Sequence, residues 1–518
     1  MTQVTPDRDC VLALDQGTTS SRAILFDRDG MPLAVEQEAF AQHVRAGDGA
    51  ADGGGGPDRS IVEHDPEDLW NTTLRCARGA LERAGRGPGR VAAVGITNQR
   101  ETTILWDRST GVPVAPAIVW QSRVSEGICR RLRAAGIEEE VRRRTGLLLD
   151  PYFSATKIVH LLETRPGLRD RCQRGEILFG TVDTFLVWRL TGGRVHATDP
   201  TNASRTLLFD IDRMAWSEEL CRMFDVPAAI LPEVRPSSGD FGTTDPGLLG
   251  AALPIAGCAG DQQAAALAQG CVRPGAAKNT YGTGAFLLFS IGTRRVEPPP
   301  GLIATVACGA TPGSATAAIE GSVFIAGAIV GWLRDGLGII ERAADVEALA
   351  RTVPDSGGVV LVPALTGLGA PHWDPSARGL LIGLTRATGR GHVARAALEA
   401  IALGVADVVG AMERGTGLRL QSLRVDGGAS ENDLLLQIQA DVLGRPVERP
   451  VVLESTALGA ALLAGLAVGF YPALDAVPAA TRTQRVFEPR GDAAAVRRLR
   501  HAWDDAVARA RHWAVPRD

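Results

Sequence analysis

The sequence predicts an α/β chain of two domains, each a mixed sheet flanked by helices, and three observations predict it. The 518 residues with 45% hydrophobic side chains exceed what one ordinary core holds, so two domains of about 250 residues are the natural division, with a cleft between them. A strand, a Gly-Thr turn and a departing strand occur twice. The first copy runs from Val11-Leu12-Ala13-Leu14 through Asp15-Gln16-Gly17-Thr18-Thr19-Ser20-Ser21 into Arg22-Ala23-Ile24-Leu25-Phe26-Asp27. The second runs from Ala277-Lys278-Asn279-Thr280-Tyr281 through Gly282-Thr283-Gly284 into Ala285-Phe286-Leu287-Leu288-Phe289. Strands also alternate with helices in both halves. The expected domains are 9–260 and 261–518.

The first third reads as strands near 10–15, 22–27 and 31–39, a helix from Pro66 to Arg83, and a strand at 91–96. Asp65 serves as N-cap, Pro66 suits the first helical position and Asp68 adds an acid to the first turn. Residues 46–57 are too poor in apolar side chains to repay ordering, which suggests a surface loop, with a lid as the lesser reading. In the C-terminal half, Val393, Ala397, Ile401, Val405, Val408 and Met412 recur at helical spacing and form a core face. Leu423–Asp426 reads as a strand ending in Gly427-Gly428-Ala429-Ser430, and Asn432 opens a helix from Asp433 to Leu443. Such a turn lets a flat ligand approach the backbone, although alone it is equally an ordinary turn.

Arg100-Glu101-Thr102-Thr103 follows the apolar strand Val91-Ala92-Ala93-Val94-Gly95-Ile96, and Asp261-Gln262-Gln263 follows a second apolar segment. Strand ends are where α/β proteins place ligands. A cation, an acid able to accept hydroxyls and a separate aspartate together describe a polyol site with a spare base. In the first Gly-Thr turn, a positive φ at Gly17 would let backbone N–H groups converge on an anion, with Thr18, Thr19 and Ser20 as further donors. Asp15 at the strand tip suits Mg²⁺, which takes one or two carboxylates with phosphate oxygens and water. On its own the turn is equally a hydroxyl-rich hairpin. Its recurrence around Thr283 suggests a duplicated fold gripping one phosphate chain from both sides.

Composition removes several rivals. Lysine occurs only at Lys157 and Lys278, neither of them in a Gly-Lys-Ser/Thr sequence, so there is no Walker A loop. There is no His-Arg-Asp loop of a protein kinase. A net charge of −4 gives no basic field for nucleic acid. The N-terminus lacks a signal-peptide apolar core and the uncharged tract 457–474 is broken by glycines and Pro472, so a cytoplasmic protein without a membrane span is expected. Eight scattered cysteines without a Cys-x-x-Cys are read as buried small hydrophobes or surface thiols.

Asp15-Gln16-Gly17-Thr18-Thr19-Ser20-Ser21-Arg22, Gly95-Ile96-Thr97-Asn98-Gln99-Arg100-Glu101-Thr102-Thr103, Asp150-Pro151-Tyr152-Phe153-Ser154, Gly260-Asp261-Gln262-Gln263 and Asn279-Thr280-Tyr281-Gly282-Thr283-Gly284 closely resemble the FGGY carbohydrate kinases, over about 11–470. The resemblance implies two actin-like, ribonuclease H-like domains around a central cleft. It also implies transfer of the γ-phosphoryl of ATP to the terminal hydroxyl of glycerol, giving sn-glycerol 3-phosphate. By motif, Arg100, Glu101, Tyr152, Asp261 and Gln262 would hold the hydroxyls, with Trp120 and Phe286 covering the carbon chain. Thr18, Thr19, Ser20, Arg22 and Thr283 match phosphate contacts, and Gly327, Gly428 and Asn432 the nucleoside end. Gly331 stands where many relatives have a glutamine near the nucleotide. Asp15 would be the Mg²⁺-linked acid and Asp261 the general base.

A pentulose kinase would share both phosphate loops, but Arg-Glu-Thr-Thr with Asp-Gln-Gln resembles the glycerol subgroup. A non-catalytic actin-like protein would lose the acids, whereas Asp15 and Asp261 are both present. His160 replaces a tryptophan usual in the family, as a packing substitution. A homo-oligomer, dimer or tetramer, is expected. Some relatives respond to fructose 1,6-bisphosphate or to histidine phosphorylation near the segment 245–255; here that segment has no Arg, Lys or His, so insensitivity to both is expected.

Overall fold

The computed structural model describes residues 7–46, 60–293 and 296–514, so the surface loop expected at 46–57 lies, from residue 47 on, outside the described residues. The chain divides into two compact units. One comprises Met1–Val272, Ala304–Ala317 and Ser455–Thr481, the other Arg273–Ile303, Ala318–Glu454 and Arg482–Asp518. A single division at 260/261 therefore does not describe the packing: residues 261–272 stay with the first unit and two later segments return to it.

In the first unit the elements that position the site are β1 (Cys10–Gln16), β2 (Ser20–Phe26), β3 (Pro32–Ala39), α1 (Pro66–Arg83), β4 (Val91–Asn98), α2 (Ser154–Thr164), β5 (Ile255–Gly260) and α3 (Asp261–Ala268). The second unit carries β6 (Ala277–Tyr281), β7 (Ala285–Gly292), α4 (Gly327–Asp335), α5 (Arg390–Thr416), β8 (Leu423–Asp426), α6 (Asp433–Leu443) and β9 (Val447–Pro450). Helix α7 (Ser455–Ala467) belongs to the first unit and β10 (Thr483–Phe487) to the second.

The first sheet has the order β5-β4-β1-β2-β3, with β1, β4 and β5 parallel and β1-β2-β3 antiparallel. Every residue of β4 is buried, as a strand covered on both faces must be. Helix α1 begins as its sequence directs: Asp65 Oδ1 accepts the Glu67 N–H at 2.9 Å, and Leu69, Trp70, Thr73, Cys76, Ala77 and Ala80 form the buried stripe. Helix α7 is buried almost throughout, and its small residues have a steric reason. A Cβ at Gly95 of β4 would lie 2.1 Å from the Ala460 carbonyl oxygen, and one at Gly459 would lie 2.0 Å from that of Ala264 in α3. Close packing at these distances admits only glycine.

The second sheet contains, in order, β7-β6-β8-β9-β10. Strands β6 and β7 are antiparallel around a turn, and β8 and β9 run parallel to β6, the scheme of the first unit again. Helix α5 buries Ala397, Ile401, Val405, Val408 and Met412 as the periodicity predicts, while Val393 remains partly exposed. All eight cysteines are buried free thiols. Among the described residues no helix is long and apolar enough to cross a membrane.

Candidate active site

Parallel strands β1, β4 and β5 place Asp15, the segment from Asn98 to Glu101 and Asp261 at neighbouring strand ends: Asp15 pairs with Thr97, and Gly260 with Asn98. Arg100 ties these ends together. Its Nε lies 3.2 Å from Asp261 Oδ1 and 3.9 Å from Glu101 Oε1, and its guanidinium donates to Gln263 Oε1 at 3.3 Å. Gly260 makes room, since a Cβ there would come within 2.7 Å of Arg100 Cδ. The Asp261 side chain is 31% exposed, against 3% for Arg100 and 1% for Glu101, so Asp261 is the member of this trio that a solute can reach. Gln262 is buried next to it, its backbone N–H on Asp261 Oδ1 at 2.7 Å.

Glu101 has φ +60°, a conformation that costs on the order of 1–3 kcal/mol for a non-glycine residue and persists only where its surroundings enforce it. They do so at both ends. Its Oε1 accepts from Arg205 Nε at 2.5 Å, and its carbonyl accepts from Ser154 Oγ at 3.0 Å, Lys157 Nζ at 3.2 Å and Thr103 Oγ1 at 3.2 Å. The fully buried Arg205 guanidinium also lies over the rings of Phe153 and Tyr152, at 5.2 and 5.7 Å. Trp120 meets Tyr152 edge-on at 5.5 Å and donates from Nε1 to Thr18 Oγ1 at 3.0 Å, joining the aromatic wall to the hydroxyl turn.

That turn is closed by the Gly17 N–H on the Ser20 carbonyl at 3.0 Å, and Gln16 and Gln99 both donate to the Gly17 carbonyl at 2.9 Å. Gly17 does not adopt a positive φ, so the expected left-handed cradle is replaced by a hairpin turn braced by two glutamines. Thr19 is exposed, and Thr18, Ser20 and Arg22 are partly exposed. Burial pushes the Asp15 carboxyl up to about 6; its sheet neighbour Arg22 opposes the shift and the charge of Asp261 adds to it. Two acids, one on β1 and one opening α3, thus repel, and an oxygen-preferring dication fits that donor set.

In the second unit the Gly282 N–H bonds to the Gly284 carbonyl at 2.9 Å, and the turn is stitched to the start of α4. Gly327 N–H donates to the Gly282 carbonyl at 2.9 Å, while Ala326 and Ala328 donate to that of Thr283 at 2.8 and 3.0 Å. A Cβ at Gly327 would lie 2.6 Å from the Gly282 carbonyl oxygen; one at Gly427, with φ +83°, would lie 2.4 Å from that of Tyr281. Thr283 and Gly327 are therefore joined through backbone contacts, and Gly427, the neighbour of Gly428, packs on Tyr281. Gly331 and Gly428 have open space where a Cβ would point. Asn432 caps α6, its Oδ1 accepting the Leu435 N–H at 2.8 Å. Phe286 is the partly exposed second residue of β7.

Sequence reasoning passed over Lys157 and Arg205. A lysine inside an apolar helical run, in a chain with only two lysines, was the available signal for the first. Arg205 follows Asn202-Ala203-Ser204 without any local mark of its distant partner. The triplet Asp240-Phe241-Gly242, which has the letters of a protein-kinase motif, is structural: Phe241 is fully buried and Asp240 Oδ1 accepts the Gly242 N–H at 2.7 Å. His160 is partly exposed and lines a pocket of about 630 Å³ with Arg45 and Glu63, so it is not simply a core filler. Residues 247–250 share a pocket of about 410 Å³ with Arg78 and Arg86, guanidiniums that the composition of the segment alone did not show. Arg78 Nε donates to the Leu248 carbonyl at 2.9 Å, and Arg86 pairs with Asp9.

The N-terminal domain of the FGGY family of carbohydrate kinases matches residues 10–268, and its C-terminal domain residues 277–468. The chain belongs to this family. A glycerol kinase of Thermus brockianus is 56% identical over 97% of this chain and 99% of its own length. One of Carboxydothermus hydrogenoformans is 53% identical over 98% and 99%. The crystal structure of Plasmodium falciparum glycerol kinase with ADP superposes with a TM-score of 0.87 at 32% identity, covering 97% of this chain and 98% of that one. The two-domain α/β fold of FGGY kinases is thus the fold of this chain, and the family division at 268/277 brackets the end of the first unit's opening segment at Val272.

Proposed function

We propose that this protein transfers the γ-phosphoryl group of ATP to the terminal hydroxyl of glycerol. The observation that carries the reading is the convergence of Arg100, Glu101 and Asp261 at adjacent strand ends, walled by Tyr152 and Trp120. Arg100 and Glu101 suit the hydroxyls that do not react: a fixed donor and a fixed acceptor select hydroxyl spacing without needing to move a proton. Asp261, the accessible acid, takes the proton of the attacking hydroxyl. Phosphoryl transfer asks mainly for positioning and charge compensation. The hydroxyls of the 18–20 turn, Arg22 and, in the second unit, Thr283 supply phosphate contacts in this reading, with Gly327, Gly331, Gly428 and Asn432 toward the nucleoside. Mg²⁺ suits Asp15, where when bound it would offset phosphate charge.

The test is a coupled ADP-release assay over glycerol, dihydroxyacetone, xylulose, ribulose and gluconate, with the product of the best substrate identified. Glycerol should give the highest kcat/KM; a pentulose or gluconate outrunning it would overturn the reading.

A further inference from the structure

Lys157 is buried on α2 with no surface exposed. Its Nζ donates to the Tyr152 carbonyl at 2.5 Å and to the Glu101 carbonyl at 3.2 Å. Taking an ammonium out of water costs several kcal/mol unless its protons are accepted, and a hydrocarbon of the same volume would avoid that cost. The structure instead keeps a charge whose acceptors are the backbones of two residues from separate segments. Both have side chains assigned to the polyol above. Glu101 is held in a conformation it would not adopt alone, and Ser154 Oγ reinforces the same carbonyl at 3.0 Å. Charge-assisted hydrogen bonds are about twice as strong as neutral ones, which suits a tie that must hold a strained residue.

We propose that Lys157 is a positioning residue for glycerol, its ammonium fastening the Glu101 and Tyr152 backbones in the arrangement that presents both side chains to the polyol. The inference rests on the glycerol reading but is separable from it, because wild-type substrate preference tests the reading and the variants test the tie. Burial pulls Lys157 down to about 7, opposed by Glu101, Asp150 and Cys129, while Arg123 adds to the lowering. Arg205 Nε pairs with the Glu101 carboxylate at 2.5 Å. The ammonium therefore gives up its proton as pH rises through neutrality, and the tie weakens to that of a neutral amine.

Two measurements decide it. Lys157→Met keeps the length and loses the donors. Its glycerol KM should rise about tenfold or more, while ATP KM and kcat stay within about threefold, the split expected when orientation rather than chemistry is damaged. Wild-type glycerol KM, followed from pH 6 to 8.5, should climb through neutrality, and that step should be absent in the variant. A folded Lys157→Met with glycerol KM within twofold of wild type overturns the proposal, as does an equal rise in both KM values. If circular dichroism shows the variant unfolded, the wild-type profile decides alone, and a glycerol KM flat with pH counts against the tie.

Discussion

The two units repeat one strand scheme and furnish its tips differently. In the first, the ends of β1, β4 and β5 carry Asp15, Arg100, Glu101 and Asp261; in the second, the ends of β6 and β8 carry Gly282, Thr283, Gly427 and Gly428. One set is charged and braced by buried side chains such as Arg205 and Lys157. The other is nearly devoid of side chains and held mainly by backbone hydrogen bonds, with Ser430 Oγ donating to the Gly427 carbonyl at 2.6 Å. In the proposed reading the same framework serves proton transfer where it offers carboxylates, and close approach of a ligand to the main chain where it offers glycines.

Substitutions on each side should break this contrast in different kinetic parameters. Asp261→Asn preserves shape and removes basicity, so turnover should fall about 10²-fold or more with the fold intact; near-normal turnover in a folded variant would move the chemistry elsewhere. Asp15→Asn should lower turnover by about tenfold or more and raise the Mg²⁺ concentration for half-maximal rate, read from a Mg²⁺ titration at saturating glycerol. On the glycine side, Gly427→Ala forces a Cβ against the Tyr281 carbonyl oxygen at 2.4 Å. The backbone must shift, at about 1–3 kcal/mol, and ATP KM should rise several-fold while glycerol KM holds. If glycerol KM moved instead, the division of labour would be wrong. The smallest effect is expected from Trp120→Ala, which removes the ring beside Tyr152 and the bond to Thr18. Glycerol KM should rise about twofold to threefold and discrimination against longer polyols should relax, measured over a polyol series.

What the sequence made legible was local chemistry. Asp65 and Pro66 marked the start of α1, and Leu423–Asp426, the two glycines and the Asn432 cap were read in the places they occupy. The strand-end residues Arg100, Glu101 and Asp261 were found because each closes an apolar run. What escaped depends on partners distant in the chain. Nothing near Arg205 announces Glu101, and nothing near Gly17 reveals that Gln16 and Gln99 bind its carbonyl and leave no need for a positive φ. Helix α7 offers no amphipathic period because it is buried nearly all round, so it registered as an uncharged tract opened by a cap-like Ser455-Thr456. For the same reason its membership in the first unit was invisible.

Helix α7 also gives the protein an order of manufacture. The faces of β4 and β5 that receive it are synthesised early, with Gly95 and Gly257 shaped to its backbone, yet residues 273–454 must leave the ribosome before Ser455 does. At about 5–20 residues per second, that interval is roughly ten to forty seconds. Throughout it the nascent chain carries an uncovered apolar sheet, so the unit that is begun first is closed only after most of the second has been made, and a ribosome stalled in the second unit releases a product exposed to aggregation.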